Sequence, residues 1–241
     1  MYKNKKICVV VPAYNEEKLI AKTLEGIPDY VDKIVVVDDG SEDSTSRIVS
    51  MVKDPRILLI RHEINNGVGA AIVSGYKKSL ELEMDITAVM DGDSQMNPLN
   101  LPAVLDPVVN GDADYVKGNR LLEKEVKNIM PGIRYIGNHL LAIFTKVASG
   151  YWNIMDPQCG YTAISRDTII RINWEKLYKR YGFENDLLIE MNIHKVRLTD
   201  VPVDPIYSVE KSKLDITSFS ITVSALLLKG FFRRLKEKYI I

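Results

Sequence analysis

Cysteine and histidine are scarce in this 241-residue chain, which has two cysteines and three histidines. Two cysteines cannot form the framework of a disulfide-stapled secreted domain, and Cys8 lies in an apolar segment typical of a core strand. The histidines are far apart in sequence, and no Ser/His/Asp or Cys/His signature accompanies them. We therefore expect a reducing compartment, and we expect His62, His139 and His194 to be structural or exposed.

Net charge and long apolar runs are also absent, since 32 Lys and Arg balance 32 Asp and Glu. Nucleic-acid-binding domains usually have a strong basic bias, so no nucleic-acid partner is expected. No stretch of about 18 uninterrupted apolar residues is present, which argues against a spanning helix. The apolar run after the basic N-terminus is short and reaches Pro12, so no secretory signal is expected. We expect a cytoplasmic chain, either soluble or on a membrane surface.

Strand and helix patterns alternate through the first 120 residues. Short β-branched runs predict strands at 6–11, 33–37, 57–60, 86–90 and 114–117. Apolar residues at helical spacing predict helices at 16–27, 44–52, 68–82 and 101–109. Asn15 is the predicted N-cap of the first helix, and Pro102 lies in the first turn of the last. This alternation is typical of βαβ units, so we expect an α/β fold with a Rossmann-like, doubly wound, mainly parallel sheet.

The second half of the chain is less regular. Helical patterns occur at 133–149, from about 167, at 187–194 and at 216–241, and strand patterns at 161–164 and 196–201. No internal repeat, low-complexity segment or linker is evident. The sequence therefore predicts one domain, residues 1–215, followed by a C-terminal helix, residues 216–241.

Polar clusters follow three of the predicted strands. Residues 12–16 (Pro-Ala-Tyr-Asn-Glu) follow the first strand, residues 38–41 (Asp-Asp-Gly-Ser) the second, and residues 91–95 (Asp-Gly-Asp-Ser-Gln) the fourth. In open α/β sheets, ligands bind beyond the carboxyl ends of the strands. We therefore expect the three clusters to meet in one crevice.

Asp91 and Asp93 are two carboxylates separated by one glycine. In an extended segment, side chains two residues apart point the same way, so both can face one ligand. Carboxylate oxygens suit Mg²⁺ or Mn²⁺, and Mg²⁺ is usually held by one or two carboxylates together with substrate phosphates. A solvated acidic turn is the competing interpretation of such a pair. The strand before it and the neighbouring clusters favour a metal site.

Asp38 and Asp39 allow two interpretations. A carboxylate at the end of the second strand can accept hydrogen bonds from a ribose or a base, but Asp-Asp-Gly-Ser-Glu-Asp-Ser is also rich in turn and helix-cap residues. The segment 65–69 (Asn-Asn-Gly-Val-Gly) resembles a phosphate-binding loop only loosely, because it lacks the lysine of a P-loop and the GxGxxG order.

Four segments together carry a family resemblance: VVVPAYNE, VVVDDGS, NNGVGAA and MDGDSQMNP. In this order and spacing they resemble the inverting family 2 glycosyltransferases, which have the GT-A fold. The nearest subgroup is the dolichyl-phosphate or polyprenyl-phosphate mannosyl- and glucosyltransferases. The resemblance spans roughly residues 6–215.

The resemblance implies roles at the donor site. Asp39 would bind the nucleotide base or ribose, with Asp38 beside it. Asp91 would contact the donor, Asp93 would hold the metal, and Gln95 would support it. The residues implied to line the nucleotide pocket are Pro12, Ala13, Tyr14 and Glu16.

Basic residues downstream match acceptor positions of the same subgroup. Arg120, in Gly-Asn-Arg, would lie near the acceptor phosphate, and Arg134 matches a second basic position. Lys211 and Lys213 resemble the segment that closes over the phosphates. The chemistry of arginine supports these positions, because its guanidinium group can donate two parallel hydrogen bonds to phosphate oxygens. For any single one of these residues, a solvated surface charge is the competing interpretation.

Two further segments resemble the family. Residues 156–161 (Asp-Pro-Gln-Cys-Gly-Tyr) match a turn near the donor sugar, and residues 183–186 (Phe-Glu-Asn-Asp) lie where many members have a catalytic carboxylate. A hydroxyl acceptor needs a general base, whereas a phosphate acceptor is already ionised. Glu184 and Asp186 therefore allow two interpretations. One of them acts as a general base, or they bind hydroxyl groups of the donor or cap the helix. The Gln-x-x-Arg-Trp motif of processive synthases is absent, which argues against polymerisation.

The C-terminal segment joins an apolar stretch to a basic cluster. Residues 229–241 carry five basic side chains and one acidic one, beside the pair Phe231 and Phe232. This pattern is typical of an amphipathic helix on an anionic membrane surface. A helix packed on the domain, or a dimer interface, is the competing interpretation.

The sequence as a whole predicts an inverting hexosyltransferase that uses Mg²⁺ or Mn²⁺. It would move a hexose from a UDP- or GDP-sugar to a polyprenyl or dolichyl phosphate, on the cytoplasmic face of a membrane. The alternatives are a soluble family 2 transferase with a sugar or small hydroxyl acceptor and, less favoured, a sugar nucleotidyltransferase. A binding module without activity is disfavoured, because it leaves three polar strand ends without a purpose.

Overall fold

A computed structural model describes the backbone of residues 1–122, 132–204, 206 and 216–240. Side chains are described for the same residues except 122, 132–139 and 216–221. Within these residues the chain folds around one mixed sheet with helices on both faces.

Seven strands form the sheet, in the spatial order β3-β2-β1-β4-β6-β5-β7. Their bounds are β1 (Ile7–Ala13), β2 (Lys33–Asp38), β3 (Ile57–Arg61), β4 (Ile86–Val89), β5 (Tyr115–Asn119), β6 (Thr162–Ser165) and β7 (Leu198–Pro202). The predicted α/β architecture with a mainly parallel sheet is confirmed, since the pairs β1–β2, β2–β3, β1–β4 and β5–β7 are parallel. Strand β6 runs antiparallel between β4 and β5.

Eight α-helices are named in the described part of the chain. They are α1 (Ile20–Gly26), α2 (Thr45–Met51), α3 (Val68–Glu81), α4 (Leu101–Val109), α5 (Gly132–Ser149), α6 (Arg166–Arg171), α7 (Phe183–Ile193) and α8 (Ile216–Tyr239). Helix α4 has the predicted bounds. Helix α7 begins four residues earlier than predicted, which places Glu184 and Asp186 in its first turn.

The predicted start of the first helix is wrong. Helix α1 begins at Ile20, and Asn15 is not its N-cap, because Asn15 has a left-handed backbone with φ of 57°. The amides of Asn15 and Glu16 donate instead to the hydroxyls of Ser41 and Thr45, at 2.9 and 2.8 Å. Side chains from the β2–α2 loop and the start of α2 thus satisfy amides at the predicted start of the helix.

Two apolar cores lie on opposite faces of the sheet, because side chains alternate along each strand. Val9 and Val11 of β1 face α1 and α4, whereas Cys8 and Val10 face α3 and α7. Helix α3 approaches the sheet so closely that a Cβ on Gly75 would lie 2.2 Å from Val10 Cγ1. Buried on both faces, β1, β2 and β4 are rigid supports for the loops at their carboxyl ends.

Candidate active site

The three polar strand ends meet at the carboxyl edge of the sheet, as the sequence predicts. The amide of Gly92 donates to the carbonyl of Pro12 at 3.1 Å, and the amide of Asp39 donates to the carbonyl of Ala13 at 2.9 Å. The segments after β2 and β4 are therefore both joined, backbone to backbone, to the end of β1. Pro12 and Ala13 are buried in β1, and Tyr14, which is 43% exposed, is the first residue of this cluster to face solvent.

A network of loop contacts holds the first strand end against the second. Besides the amides of Asn15 and Glu16, the amide of Glu17 donates to Asp43 at 3.1 Å. In return, the amide of Glu42 donates to the side chain of Asn15 at 2.9 Å. These contacts fix one wall of the crevice, next to the predicted nucleotide residues.

Asp39 is a buried hub that ties β2 to the loop before α3. Its carboxylate accepts the amides of Asn66 and Gly67, at 3.0 and 2.7 Å, and lies 2.7 Å from His62 Nδ1. His62 Nε2 in turn lies 2.9 Å from the hydroxyl of Ser74. Two amides of the glycine-containing loop at 65–69 thus bind Asp39. No local pattern reveals this Asp–His–Ser chain, because its members come from the residue after β2, from the residue after β3 and from α3.

Asp38 is fully buried and accepts the amide of Ser41 at 2.8 Å and the hydroxyl of Ser46. The guanidinium of Arg61 lies 3.7 Å from the same carboxylate. These contacts match the turn interpretation of Asp38, whose carboxylate organises the Asp-Asp-Gly-Ser turn from within.

Asp91 and Asp93 lie at the end of β4 in a crowd of carboxylates. The pKa of Asp91 is raised to about 8 by burial first, and then by the negative charges of Asp93, Glu184 and Glu16, against the opposing charge of Arg120. Asp93 accepts the amide of Gln95 at 3.0 Å, which orients its carboxylate within the turn. A divalent cation bound between such carboxylates would reduce the repulsion between their negative charges.

The donor set fits a cation that is shared with a substrate. Among the described residues no group of three or more His, Cys, Asp or Glu side chains is already arranged around one point as an ion-binding cage. Two carboxylates completed by phosphate oxygens are a normal site for Mg²⁺, which seldom occupies an all-protein cage. Asp91, Asp93 and Gln95 could therefore hold the metal of a metal–diphosphate complex.

The turn at 156–161 packs directly against Asp91. A Cβ on Gly160 would lie 2.9 Å from Asp91 Oδ2, so only glycine allows this approach. Asp156, at the start of the turn, binds Arg120 through two hydrogen bonds, from Nε at 2.7 Å and from the NH2 group at 3.0 Å. Burial alone raises the pKa of Asp156, but Arg120 holds it below its usual value. The turn thereby places the Arg120 guanidinium, 32% exposed, beside the Asp91 crevice.

Glu184 and Asp186 have different surroundings, although both lie in the first turn of α7. Glu184, 18% exposed, pairs with the fully buried Lys117 of β5 at 2.5 Å. Asp186, only 4% exposed, accepts the amide of Tyr178 at 2.9 Å and pairs with Arg233 of α8 at 2.8 Å. Glu184 therefore belongs to the crevice, and Asp186 joins α7 to the C-terminal helix. Lys117 was missed because nothing in a strand pattern marks one lysine as buried.

Three of the predicted basic residues cannot be placed from side-chain contacts. Arg134 lies in the first turns of α5, where only the backbone is described. Lys211 and Lys213 lie outside the described residues.

The C-terminal helix packs on the domain, chiefly against α5 and α7. Val223, Leu227, Gly230 and Arg234 form one buried stripe along it. Three of its five basic residues are bound by protein groups, which differs from the expectation of a basic cluster facing a membrane. Arg233 pairs with Asp186, Arg234 donates to the carbonyl of Ala148 at 2.8 Å, and Lys238 donates to Asn192 at 2.7 Å.

Helix α5 presents a stripe of large apolar side chains to solvent, at the spacing of one helical face. The stripe, hereafter the α5 apolar stripe, consists of Leu140, Ile143, Phe144 and Val147, which are 44–58% exposed. Lys146 of the same helix reaches Met155 Sδ at 3.1 Å, and Met155 precedes the Asp156 that binds Arg120. Lys146, the neighbour of Val147 in the stripe, thus joins α5 to the turn that binds Arg120. None of the helices in the described part of the chain has the length and hydropathy needed to cross a bilayer.

Relatives of the chain share nearly its whole length. It is 32% identical to the UDP-N-acetylglucosamine–dolichyl-phosphate N-acetylglucosaminyltransferase of Methanococcus voltae, covering 94% of this chain and 97% of the relative. It is 28% identical to the undecaprenyl-phosphate mannosyltransferase of Micrococcus luteus, covering 82% of each. A dolichyl-phosphate β-glucosyltransferase of Trichomonas vaginalis is 27% identical over 94% of this chain and 74% of its own length.

Solved structures share the fold. Glucosyl-3-phosphoglycerate synthase from Mycobacterium tuberculosis, in complex with Mn²⁺, UDP and glucosyl-3-phosphoglycerate, superposes with a TM-score of 0.73. The sequence identity is 21%, over 95% of this chain and 81% of that one. The likeness confirms the expected GT-A fold. The sequence model described as "Glycosyl transferase family 2" matches residues 8–172, more than half of the chain, and includes the three polar strand ends. This chain is therefore a glycosyltransferase that belongs to glycosyl transferase family 2.

Proposed function

We propose that the enzyme transfers a hexose from a UDP- or GDP-sugar to a polyprenyl or dolichyl phosphate, with inversion at the anomeric carbon. The observation that carries the proposal is one crevice with two kinds of charge. Asp91 and Asp93 supply negative charge, and the Arg120 guanidinium, aligned by Asp156, supplies positive charge that acts on Asp91. The names of relatives that cover most of this chain support a lipid-phosphate acceptor.

The reaction is a single displacement. An oxygen of the acceptor phosphate forms a bond to the anomeric carbon while the bond from that carbon to the nucleoside diphosphate breaks, and the departing diphosphate takes the electron pair. A bound Mg²⁺ or Mn²⁺ supplies positive charge that stabilises the diphosphate leaving group. Asp93 and Asp91, with support from Gln95, would hold that ion, and Asp39 and the residues at 12–16 would position the nucleotide. Arg120, joined by Arg134, Lys211 and Lys213, would bring the acceptor phosphate to the anionic donor.

A hydroxyl acceptor is less well supported, because it requires a general base. The two carboxylates proposed for that role are both ion-paired, Glu184 with Lys117 and Asp186 with Arg233. An ionised phosphate needs no base, which agrees with this arrangement. The nucleotidyltransferase alternative is disfavoured by membership of the glycosyltransferase family.

The test is a transfer assay with purified enzyme, Mn²⁺ or Mg²⁺, and radiolabelled UDP- and GDP-hexoses. A thermal-shift screen chooses the donor beforehand, since a ligand that binds the folded state raises its apparent stability. We expect label in the butanol-extractable lipid phosphate when polyprenyl phosphate is present. Label found only in a water-soluble glycoside, with free sugars or small alcohols as acceptors, would overturn the proposed acceptor.

We also propose that the enzyme works at the cytoplasmic face of a membrane, with the α5 apolar stripe against the lipid. The stripe lies on the helix whose Lys146 contacts Met155, and Met155 precedes the Asp156 that binds Arg120, where a lipid phosphate would enter. Because Arg233, Arg234 and Lys238 are bound within the protein, attraction to anionic lipid contributes less than the sequence suggests. Apolar contact is then the main contribution to binding.

Replacing Ile143 and Phe144 by glutamine is expected to lower partitioning into phosphatidylcholine vesicles by at least about tenfold, because each side chain contributes on the order of 1 kcal/mol when partly buried in lipid. Vesicle flotation measures this, and transfer to a short-chain, water-soluble acceptor should be unchanged. Ile170→Gln, at an exposed isoleucine on α6, is the control and should float like the wild type. Loss of a dimer in light scattering, with flotation unchanged, would instead show that a second copy covers the stripe.

A further inference from the structure

We infer that Lys117 is a positioning residue for the donor sugar, which holds the carboxylate of Glu184 and the carbonyl of Cys159 at the sugar end of the crevice. The inference rests on the proposed function and deepens it, because it adds Lys117 as the residue that orients Glu184, one of the two carboxylates expected near the donor. In this arrangement Glu184 accepts hydrogen bonds from hydroxyl groups of the donor hexose. Lys117 acts through Glu184 and does not itself contact the sugar.

Lys117 lies in the middle of β5, where every residue is buried, and its own side chain has no exposed surface. Its ammonium group donates to Glu184 Oε2 and to the carbonyl of Cys159, both at 2.5 Å. Taking an ammonium group out of water is strongly unfavourable unless it is paired and hydrogen-bonded. An apolar residue in the middle of a buried strand would not have this desolvation cost. A lysine at this position therefore calls for a reason other than stability.

The two partners of Lys117 belong to two separate segments, the turn at 156–161 and helix α7. Cys159 precedes Gly160, whose Cα lies against the carboxylate of Asp91. Glu184 comes from the first turn of α7, and its negative charge acts on Asp91. One ammonium group therefore fixes the distance between the 156–161 turn and α7.

Glu184 has the exposure and the support that a sugar ligand needs. Its side chain is 18% exposed, whereas Lys117 behind it is fully buried, so the carboxylate is the part of the pair that a substrate can reach. Its place in the first turn of α7 adds the favourable field of the helix N-terminus. A carboxylate held from behind keeps one orientation, and a fixed orientation is what recognition of sugar hydroxyls requires.

The experiment compares binding of a nucleoside diphosphate with binding of the corresponding nucleotide sugar, in Lys117→Met, Glu184→Gln and the double variant. With Mn²⁺, the probes are UDP and UDP-N-acetylglucosamine, or GDP and GDP-mannose if the screen selects guanine. For Lys117→Met we expect donor kcat/KM to fall by about 10²-fold, as misplaced groups typically cause. The Kd of the nucleoside diphosphate should change less than about twofold, because that ligand lacks the sugar. If Lys117→Met weakens binding of the nucleoside diphosphate as much as binding of the nucleotide sugar, the role of Lys117 is merely structural and the inference is overturned.

The double variant keeps the test decisive if Lys117→Met alone does not fold. Lys117→Met with Glu184→Gln leaves no unpaired buried charge, and thermal unfolding reports whether it is folded. Because Lys117 acts through Glu184, adding Lys117→Met to Glu184→Gln should change donor kcat/KM less than about threefold. A further loss there of about 10²-fold, relative to Glu184→Gln, would overturn the inference. If the wild type binds the nucleoside diphosphate but transfers nothing to lipid phosphate, the proposed acceptor fails, whereas the comparison of binding constants still stands.

Discussion

Replacing Asp93 with alanine is expected to abolish transfer, with kcat/KM falling on the order of 10³-fold or more. Removal of one group that stabilises charge in a transition state typically costs 10²- to 10³-fold, and Asp93 is proposed to anchor the ion that does so. The fold should survive, because Asp93 lies in the turn after β4 and outside the apolar cores. Initial rates of radiolabel transfer, measured over donor concentrations from below KM to saturation at a fixed excess of Mn²⁺, give kcat/KM, and circular dichroism and thermal unfolding check the fold.

Asp85→Asn is the matched control, at the opposite end of the same strand. Asp85 accepts the amide of Lys6 at 2.7 Å, far from the carboxyl edge, and asparagine keeps an acceptor there. Its transfer rate should equal that of the wild type. Turnover of Asp93→Ala within tenfold of the wild type would show that the metal site lies elsewhere.

Replacing Asp39 with alanine is expected to lower the free energy of unfolding by about 3–5 kcal/mol, the usual cost of removing one partner from a buried, charge-assisted network. Two amides and His62 would lose their acceptor in a buried site. In a chain of this size that change lowers Tm by roughly 10 °C. Nucleoside diphosphate affinity should fall as well, because the loop at 65–69 loses its attachment to β2.

Ser74→Ala is the control for Asp39→Ala, because Ser74 is the last member of the same hydrogen-bond chain. It removes only the outer partner of His62 and leaves all three contacts to Asp39, so we expect a loss below about 1 kcal/mol. Differential scanning calorimetry of both variants, with and without UDP or GDP and Mn²⁺, measures stability and ligand stabilisation together. A Tm of Asp39→Ala equal to that of the wild type, with weakened nucleotide binding, would mean that Asp39 serves the ligand alone.

Much of the architecture is predictable from local patterns. Buried parallel strands are near-continuous Val and Ile runs, and the turn residues after them mark the ends where ligands bind. The strand ends at 12–16, 38–41 and 91–95 were therefore placed together correctly, and α4 was predicted residue for residue. The predicted start of α1 was wrong. The side chain of Ser41, 26 residues along the chain, binds the amide of Asn15, which local spacing assigns to the helix N-cap.

The sequence by itself determined the order of strands and helices, the family, and the edge of the sheet where the chemistry lies, because these follow from short-range periodicity and from motif spacing. Only the tertiary structure decided how charges were paired. Lys117 and Glu184 are 67 residues apart, and Asp186 and Arg233 are 47 apart. A strand pattern does not tell a buried lysine from an exposed one, and a basic helix pattern does not tell a cation facing a membrane from one bound to its own domain. Contacts between distant segments supply that difference, since burial and pairing of a charge depend on what packs against it.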